Sequence, residues 1–484
     1  MQTGNLIGGE FVKPASGKSI TVFNPADDQP LAEVPDVGED GIARAIDAAS
    51  KAFPGWSATP AIERAEILRR WAGLMLRDAE RLASLMTAEQ GKPLAEAEGE
   101  IRYAASFLTD AAAHAETLLG HQVPSPKRDM RITAIRQPVG VCAAITPWNF
   151  PSAMLARKLG PALASGCTML AKPAHQTPLS AIAMAELGVV AGLPDGVFNL
   201  VTCDAKLFSE TVFADSRVRK VSFTGSTPVG RLLMKLASEN LVRLSLELGG
   251  HAPFVIFEDA DLDAAADGLI ASKFRNAGQT CICPNRLYIH ASVYDEAMDR
   301  LRQKIEKLKV GPGDAEGVKI GPLISDDAME KVERHVADAK QHGAEVLCGG
   351  ERAKPQANGR TLADRFYTPT LLSGLKPAMA MAKEETFGPV IGAASFDTEA
   401  EAIGLANSSP YGLASYYYTR DHSRAIRVAE AIRAGIVGVN NGGVSTAQAP
   451  FGGVGLSGFG REGGPWALDE YTDVKYISTG VAEG

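Results

Sequence analysis

The chain has no run of basic residues, no acidic tail, no disulfide framework and no long apolar stretch, and each absence removes a class of function. Its 49 Lys and Arg stand against 57 Asp and Glu, a formal charge of −8, so the charge pattern does not suit a nucleic acid. Apolar segments are short and interrupted by Gly, Pro or charge; none approaches the roughly 20 residues that a membrane-spanning helix needs. Met1 to Phe11 lacks the charged-then-apolar pattern of a secretory leader. The cytoplasm is therefore the expected location, with neither membrane nor nucleic acid as partner. Six cysteines are scattered along 484 residues, and in a reducing compartment most would remain thiols. Only Cys281 and Cys283 are close. Their one-residue spacing is too short for a zinc knuckle and no second Cys or His pair completes four ligands, so no metal is expected.

What is present is an ordinary globular mixture, 45% hydrophobic and 22% charged, on a chain long enough for two or three domains. No internal repeat or low-complexity linker divides it. The first third is helical by its apolar spacing, over 41–53, 62–88 and 94–119, with Gly91-Lys92-Pro93 as a stop signal. From 139 onward the pattern alternates. Strands are expected at 139–146, 168–171, 197–201, 220–223 and 243–248, with helices after Pro178 and at 205–213 and 228–238. A second series follows, with strands at 253–257, 286–290, 411–418 and 436–440 and helices at 261–276 and 293–307. Such alternation predicts parallel sheets with helices on both faces, and dinucleotides bind at the carboxyl ends of such strands. Residues 119–131 are polar and weakly periodic, an excursion or edge hairpin.

The most informative segment is Phe274-Arg275-Asn276-Ala277-Gly278-Gln279-Thr280-Cys281. The spacing ends a helix at Gly278 and puts the cysteine in a loop that enters a strand. Free backbone N–H groups at such a junction can stabilise an oxyanion, and a thiolate both attacks a carbonyl and leaves from a thioester. An isolated cysteine is more often simply buried. Leu246-Glu247-Leu248-Gly249-Gly250 puts a lone carboxylate at the end of an apolar strand, either paired structurally or, with burial raising its pKa, serving as a general base. Thr146-Pro147-Trp148-Asn149-Phe150-Pro151 offers an amide donor at another strand end. Phe223-Thr224-Gly225-Ser226-Thr227-Pro228-Val229-Gly230 joins a strand to a helix N-terminus where a diphosphate could lie, although it is not the G-x-G-x-x-G fingerprint.

Together these segments resemble the aldehyde dehydrogenase superfamily, over nearly the whole chain from the Trp56 region to Tyr471. Lys172-Pro173-Ala174, Glu384-Glu385-Thr386-Phe387-Gly388-Pro389 and Pro450-Phe451-Gly452-Gly453 match as well, and the 34-residue separation of Glu247 and Cys281 suits the family. The resemblance implies an α/β fold: a Rossmann-type cofactor domain (1–119 and 139–249), an α/β catalytic domain (250–448) and a small β oligomerisation element (120–138 and 466–484) in a homodimer or homotetramer. It implies that Cys281 attacks an aldehyde to form a thiohemiacetal, that Asn149 and the Cys281 N–H hold the oxyanion, and that Glu247 activates the water that hydrolyses the thioester. Lys172, Gly225, Ser226, Glu385, Phe387 and Trp148 would surround an NAD(P) cofactor, with packing as the competing account for Trp148 and Phe387. Many NAD-preferring relatives carry Glu three residues after the lysine. Here the residue is His175, which removes a repulsion against a 2′-phosphate and tilts the expectation from NAD to NADP or dual use.

Arg275, six residues before Cys281, and Arg157, two helical turns beyond Asn149, could both face one tunnel. Arginine binds carboxylates bidentately, so a carboxylate-bearing aldehyde is the expected substrate; structural ion pairing of both arginines is the competing account. The resemblance extends to the succinate-semialdehyde branch, in which arginines at both positions and a serine (here Ser445, with Thr446 as the runner-up) hold the substrate carboxylate. In that branch the second cysteine, here Cys283, can form a disulfide with the nucleophile; a small core residue is the competing account. Glutarate semialdehyde, one methylene longer, differs by only about 1–3 kcal/mol of discrimination. Another aliphatic aldehyde, a cofactor-free thiol hydrolase or acyltransferase, and a noncatalytic relative are the remaining alternatives.

Overall fold

The computed structural model describes residues 1–13, 17–356 and 359–482. Two large sheets organise the chain. The first runs, edge to edge, Gly458–Phe459, Arg243–Glu247, Val218–Thr224, Val141–Ile145, Thr168–Lys172, Phe198–Leu200, Asn5–Ile7 and Glu10–Val12. Its five central strands are parallel; the N-terminal hairpin and Gly458–Phe459 close the edges in antiparallel fashion. Burial on both faces explains its continuous apolar runs. Cys142 and Ala144 enter one apolar cluster, while Val141 and Ala143 enter another.

The second sheet orders Glu345–Cys348, Thr370–Ser373, Val390–Phe396, Pro284–His290, Ala252–Ile256, Ala414–Tyr418 and Ile436–Val439, parallel except for the first pair. It too is covered on both sides: Phe254 and Ile256 pack into one cluster, Val255 and Phe257 into another. A separate three-stranded antiparallel sheet joins His121–Val123, Met130–Pro138 and Thr472–Gly480. It brings together the two segments assigned to oligomerisation, of which 483–484 lie outside the described residues. No helix among the described residues is long and apolar enough to cross a membrane.

Several local boundaries differ from the sequence pattern. The helix expected over 62–88 is two helices, Ala61–Arg77 and Ala79–Gln90. They break at Asp78, whose carboxylate accepts hydrogen bonds from Arg77 and Arg81. The helix over 94–119 ends at Ala115, and that over 261–276 ends at Lys273. The strand expected from 411 begins at Ala414.

Two helix starts fix the site's framework. Helices Pro151–Ala164 and Pro178–Val190 each begin with proline, whose missing N–H is no loss there. Their first free N–H groups are met by buried carboxylates. Glu100 accepts from Ser152 and Ala153 at 3.0 and 3.2 Å, and Glu89 accepts from Leu179 and Ser180, both at 2.8 Å. An anion suits a helix N-terminus.

Candidate active site

The nucleophile sits on an unusual turn. After helix Leu262–Lys273, Asn276, Ala277 and Gly278 all take left-handed backbone conformations, with φ of 51°, 54° and 74°. For the two non-glycine residues this costs of order 1 kcal/mol or more each, so the surroundings must hold it. Glu96 accepts from the Asn276 N–H at 2.7 Å, Gln279 Oε1 accepts from the Ile324 N–H at 3.0 Å, and the Tyr416 hydroxyl donates to the Ile282 carbonyl at 2.9 Å. At Gly278 a Cβ would collide with the Gly388 carbonyl. The turn leaves Cys281 partly exposed and buries Cys283. Burial pushes the Cys281 thiol well up, Glu247 and Glu385 push the same way, and Arg157 opposes them. The resting sulfur is thus a thiol that needs a base.

Glu247 ends the parallel strand Arg243–Glu247 and is 4% exposed. Burial pushes its carboxyl up to about 7; Arg157 opposes the rise and Glu462 adds to it. One oxygen, Oε1, accepts from Arg157 at 3.3 Å, whereas Oε2 is buried with no hydrogen-bond partner among the described residues. A carboxyl poised near neutrality with one oxygen free is what general-base work requires.

Asn149 donates its Nδ2 to the Gln279 carbonyl at 3.0 Å, which ties it to the nucleophile's own turn. Its backbone carbonyl accepts from Lys92 Nζ at 2.7 Å and Asn276 Nδ2 at 3.1 Å. Lys92 is in turn paired with Glu100. Both the amide and the strand end that carries it are thereby fixed beside Cys281.

The residues expected around a cofactor line up at the carboxyl ends of the first sheet. Lys172 ends its strand, buried, with its ammonium on the Pro173 carbonyl and burial lowering its pKa. His175 is exposed. Partial burial and then Lys172 lower its pKa, so it is neutral at pH 7. Gly225 donates its N–H to the Glu247 carbonyl at 3.0 Å, and a Cβ there would strike the Phe223 ring. Ser226 precedes helix Thr227–Asn240 without capping it, which leaves that N-terminus open for an anion. Glu385 accepts from the Gly250 N–H at 3.1 Å, and burial lifts its carboxyl to about 7. Phe387, at φ 57°, stands edge-on to Trp148 with ring centroids 5.7 Å apart. An open helix terminus for a diphosphate, carboxylate and ammonium for ribose hydroxyls and two half-buried aromatics for a flat ring fit a nicotinamide dinucleotide.

The two arginines part company. Arg275 is half-buried at the start of the nucleophile's turn, its guanidinium 4.9 Å from the centroid of the Phe150 ring. Among the described residues no carboxylate lies within ion-pair distance of it. Arg157, expected to face the substrate, is instead sealed: its side chain has zero exposure, with Nε 2.6 Å from Glu462 and Nη2 3.3 Å from Glu247. Ser445 is half-buried in the loop after strand Ile436–Val439; Thr446 is exposed and bonds to Gln448. Cys283 donates to the Gly278 carbonyl at 3.1 Å and lies 3.6 Å from the buried Lys273 ammonium.

Glu462, Lys158, Lys92 and Glu100 escaped notice in the sequence. Lys158 pairs with Glu462 and donates to Thr224 at 2.7 Å. The signal was present: helix Pro151–Ala164 is buried throughout yet carries adjacent cations, which demands buried anions somewhere. Nothing local says where those anions are. Lys92 read only as part of a helix stop.

Comparison with known proteins agrees with this geometry. The aldehyde dehydrogenase family profile matches residues 11–477. The chain is 50% identical over 476 residues to the succinate-semialdehyde dehydrogenase [NADP(+)] GabD of Escherichia coli (strain K12), covering 98% of this chain and 97% of that protein. It is also 50% identical over 474 residues to a glutarate-semialdehyde dehydrogenase of Pseudomonas aeruginosa, again 98% and 97% of the two chains. A crystal structure of an E. coli NADP-dependent enzyme superposes with a TM-score of 0.96 at 50% identity, covering 99% of this chain and 98% of that one. A thiol on a strained turn, a near-neutral carboxyl with one free oxygen and a dinucleotide-shaped strand end thus stand in a sequence alike over its whole length, and the chain belongs to the aldehyde dehydrogenase family.

Proposed function

We propose that the chain oxidises a short aldehyde with a distal carboxylate, succinate semialdehyde or its one-methylene-longer homologue glutarate semialdehyde, to the dicarboxylic acid. The observation that carries this is Arg275: a half-buried guanidinium at the start of the nucleophile's turn, against the Phe150 ring, with no carboxylate within ion-pair distance among the described residues. A cation left unpaired in such a place is costly unless an anion arrives with the substrate. Ser445 is the assigned helper. The names of the two relatives, each acting on a semialdehyde that carries an acid, support the same class.

Glu247 takes the Cys281 proton, and the sulfur adds to the aldehyde carbon. Asn149 Nδ2 and the Cys281 N–H steady the oxyanion. A bound nicotinamide dinucleotide, held by Lys172, Ser226 and Glu385, would supply the hydride acceptor. Once Glu247 has given the first proton up to solvent, its Oε2 draws a proton from water, which attacks the Cys281 thioester; the C–S bond breaks, freeing the acid and returning Cys281 as the thiolate. NADP is the assigned cofactor because His175 puts no negative charge near Lys172, and the E. coli relative's name carries NADP(+). The location assigned is the cytoplasm, where six free thiols persist. Strand Thr472–Gly480 is a sheet edge exposing Val474, Tyr476 and Ile477, the surface assigned to a homodimer or homotetramer.

The test is kcat/KM for succinate semialdehyde, glutarate semialdehyde and butyraldehyde, each with NADP and NAD. A semialdehyde preference of tenfold or more is expected, about 1.4 kcal/mol. Equal values for the semialdehydes and butyraldehyde would end the carboxylate assignment.

A further inference from the structure

We infer that the Tyr103 hydroxyl is a further ligand of the substrate's distal carboxylate, and that Tyr103 thereby helps to select a charged aldehyde over a plain one. This role rests on the semialdehyde substrate proposed above.

Helix Leu94–Ala115 turns one stripe of side chains toward the site. Glu96, Glu100, Tyr103 and Phe107 fall at i, i+4, i+7 and i+11, within an arc of about 60° on the helix surface. Three of the four are anchored to elements of the active site. Glu96 accepts at 2.7 Å from the N–H of Asn276, the residue after Arg275. Glu100 accepts from the Ser152 and Ala153 N–H groups at the start of helix Pro151–Ala164. The Phe107 ring centroid lies 5.5 Å from the Arg157 guanidinium. Tyr103 stands between these anchors, so its side chain enters the space between the Arg275 turn and the first turns of helix Pro151–Ala164. Phe107 steadies its ring edge-on, with centroids 4.7 Å apart.

The Tyr103 hydroxyl is buried and has no hydrogen-bond partner among the described residues. A buried tyrosine ordinarily finds one, because an unmade hydrogen bond leaves its desolvation uncompensated. Phenylalanine would fill the same volume without that cost, so packing alone does not account for the oxygen. Burial pushes the phenol's pKa up; Arg157 and then Arg275 oppose the rise, while Glu247 and Glu462 add to it. The group is therefore a neutral phenol with a proton to donate. The carboxylates around it are already engaged: Glu247 with Arg157, and Glu462 with Arg157 and Lys158. The missing acceptor is what an anionic substrate brings. A carboxylate offers about four lone-pair directions, enough for the Arg275 fork and one hydroxyl together.

The test is Y103F, assayed for kcat and KM with succinate semialdehyde and with butyraldehyde, beside wild type and with a melting curve for each. The hydroxyl lies on the distal acid and not on the reacting carbon, so it acts alike on ground and transition states and should be read in KM. KM for succinate semialdehyde is expected to rise about tenfold, as loss of a hydrogen bond to a charged group dictates, with kcat within about twofold. Both constants for butyraldehyde should stay within about twofold. The variant lacks only an oxygen that bonds to nothing in the free protein, so its Tm should match or exceed that of wild type. The assignment is overturned if KM rises equally for both aldehydes, or if Y103F keeps the wild-type preference for the semialdehyde. A Tm lower by several degrees would also overturn it, since the hydroxyl would then be bonded within the fold. A wild-type enzyme indifferent to the carboxylate would defeat the substrate assignment itself, a result visible without any variant.

Discussion

Arg157 and Arg275 are the same residue type, both within reach of Cys281, yet they occupy opposite kinds of surroundings. Arg157 sits in a closed cage of two carboxylates and two aromatic rings. Arg275 sits against one ring, with no carboxylate within ion-pair distance among the described residues, although its charge is felt by the buried Glu96. What separates them is a pair of carboxylates, Glu247 and Glu462, of which Glu462 is distant in sequence. Glu462 arrives through the short strand Gly458–Phe459, which pairs antiparallel with Arg243–Glu247 and carries the C-terminal segment behind the base. The general lesson is that an arginine's role is set by whether the fold delivers an acid to it. Changes at Arg275 should depend on the substrate used.

The largest effect should come from the open side's sulfur. C281S should lower kcat with every aldehyde by about a thousandfold or more, since a serine hydroxyl is a far weaker nucleophile than a thiolate and the neighbouring thiol, Cys283, is buried. Single-turnover acid trapping should find no acyl adduct in the variant, and retained turnover would refute covalent catalysis. Next is R275M. It should cut kcat/KM for succinate semialdehyde by roughly 10–100-fold, the worth of a charge-assisted hydrogen-bonded pair, and leave butyraldehyde within about twofold. A uniform loss with both aldehydes would place Arg275 with Arg157 and erase the contrast.

How much of this was legible in the sequence differs between the two sides. The strand ends were read residue by residue: Asn149, Lys172, Ser226 and Glu247 end or follow apolar strands whose sudden polar ends mark the sheet's carboxyl edge. Period and punctuation are local signals, and those survive in one dimension. The closed side was not legible, because Glu462 joins Lys158 across 304 residues of separation. The turn itself was half-legible. Gly278 announced a break, but the left-handed Asn276 and Ala277, which end the helix at Lys273 rather than at Asn276, are imposed by tertiary contacts to Glu96 and Ile324. Strand Gly458–Phe459 is too short to carry a pattern, whereas helix Asp326–Gln341 had one that escaped notice: a Ser325 cap, acids in the first turn and Met329, Val332, Val336 and Ala339 on one face.

The cofactor end extends the comparison with a smaller effect. Exposed and neutral, His175 contributes no charge beside Lys172. H175E should put a carboxylate where a 2′-phosphate would lie and shift the NADP-to-NAD ratio of kcat/KM by about tenfold toward NAD. High salt should shrink the shift, because the group is solvent-facing. An unchanged ratio would show that the adenosine ribose does not reach this position.

The smallest effect concerns stability and belongs to the closed side. Glu247 keeps its proton up to about pH 7 in the folded chain, against 4.5 for the ordinary carboxyl. Between those values the folded state binds a proton that the unfolded state has released, so rising pH costs stability across that window, and the cost is constant above it. Glutamine cannot titrate but can still accept from Arg157. E247Q, catalytically crippled, should therefore unfold at about the same temperature as wild type near about pH 4.5 and be more stable by about 3 kcal/mol near about pH 8. In a chain of this size that is a Tm difference of a few degrees at most. A difference that stays flat across the window would mean that Arg157 and Lys158 already hold Glu247 ionised at low pH. In that case the cage would be a permanent ion cluster and not a poised base.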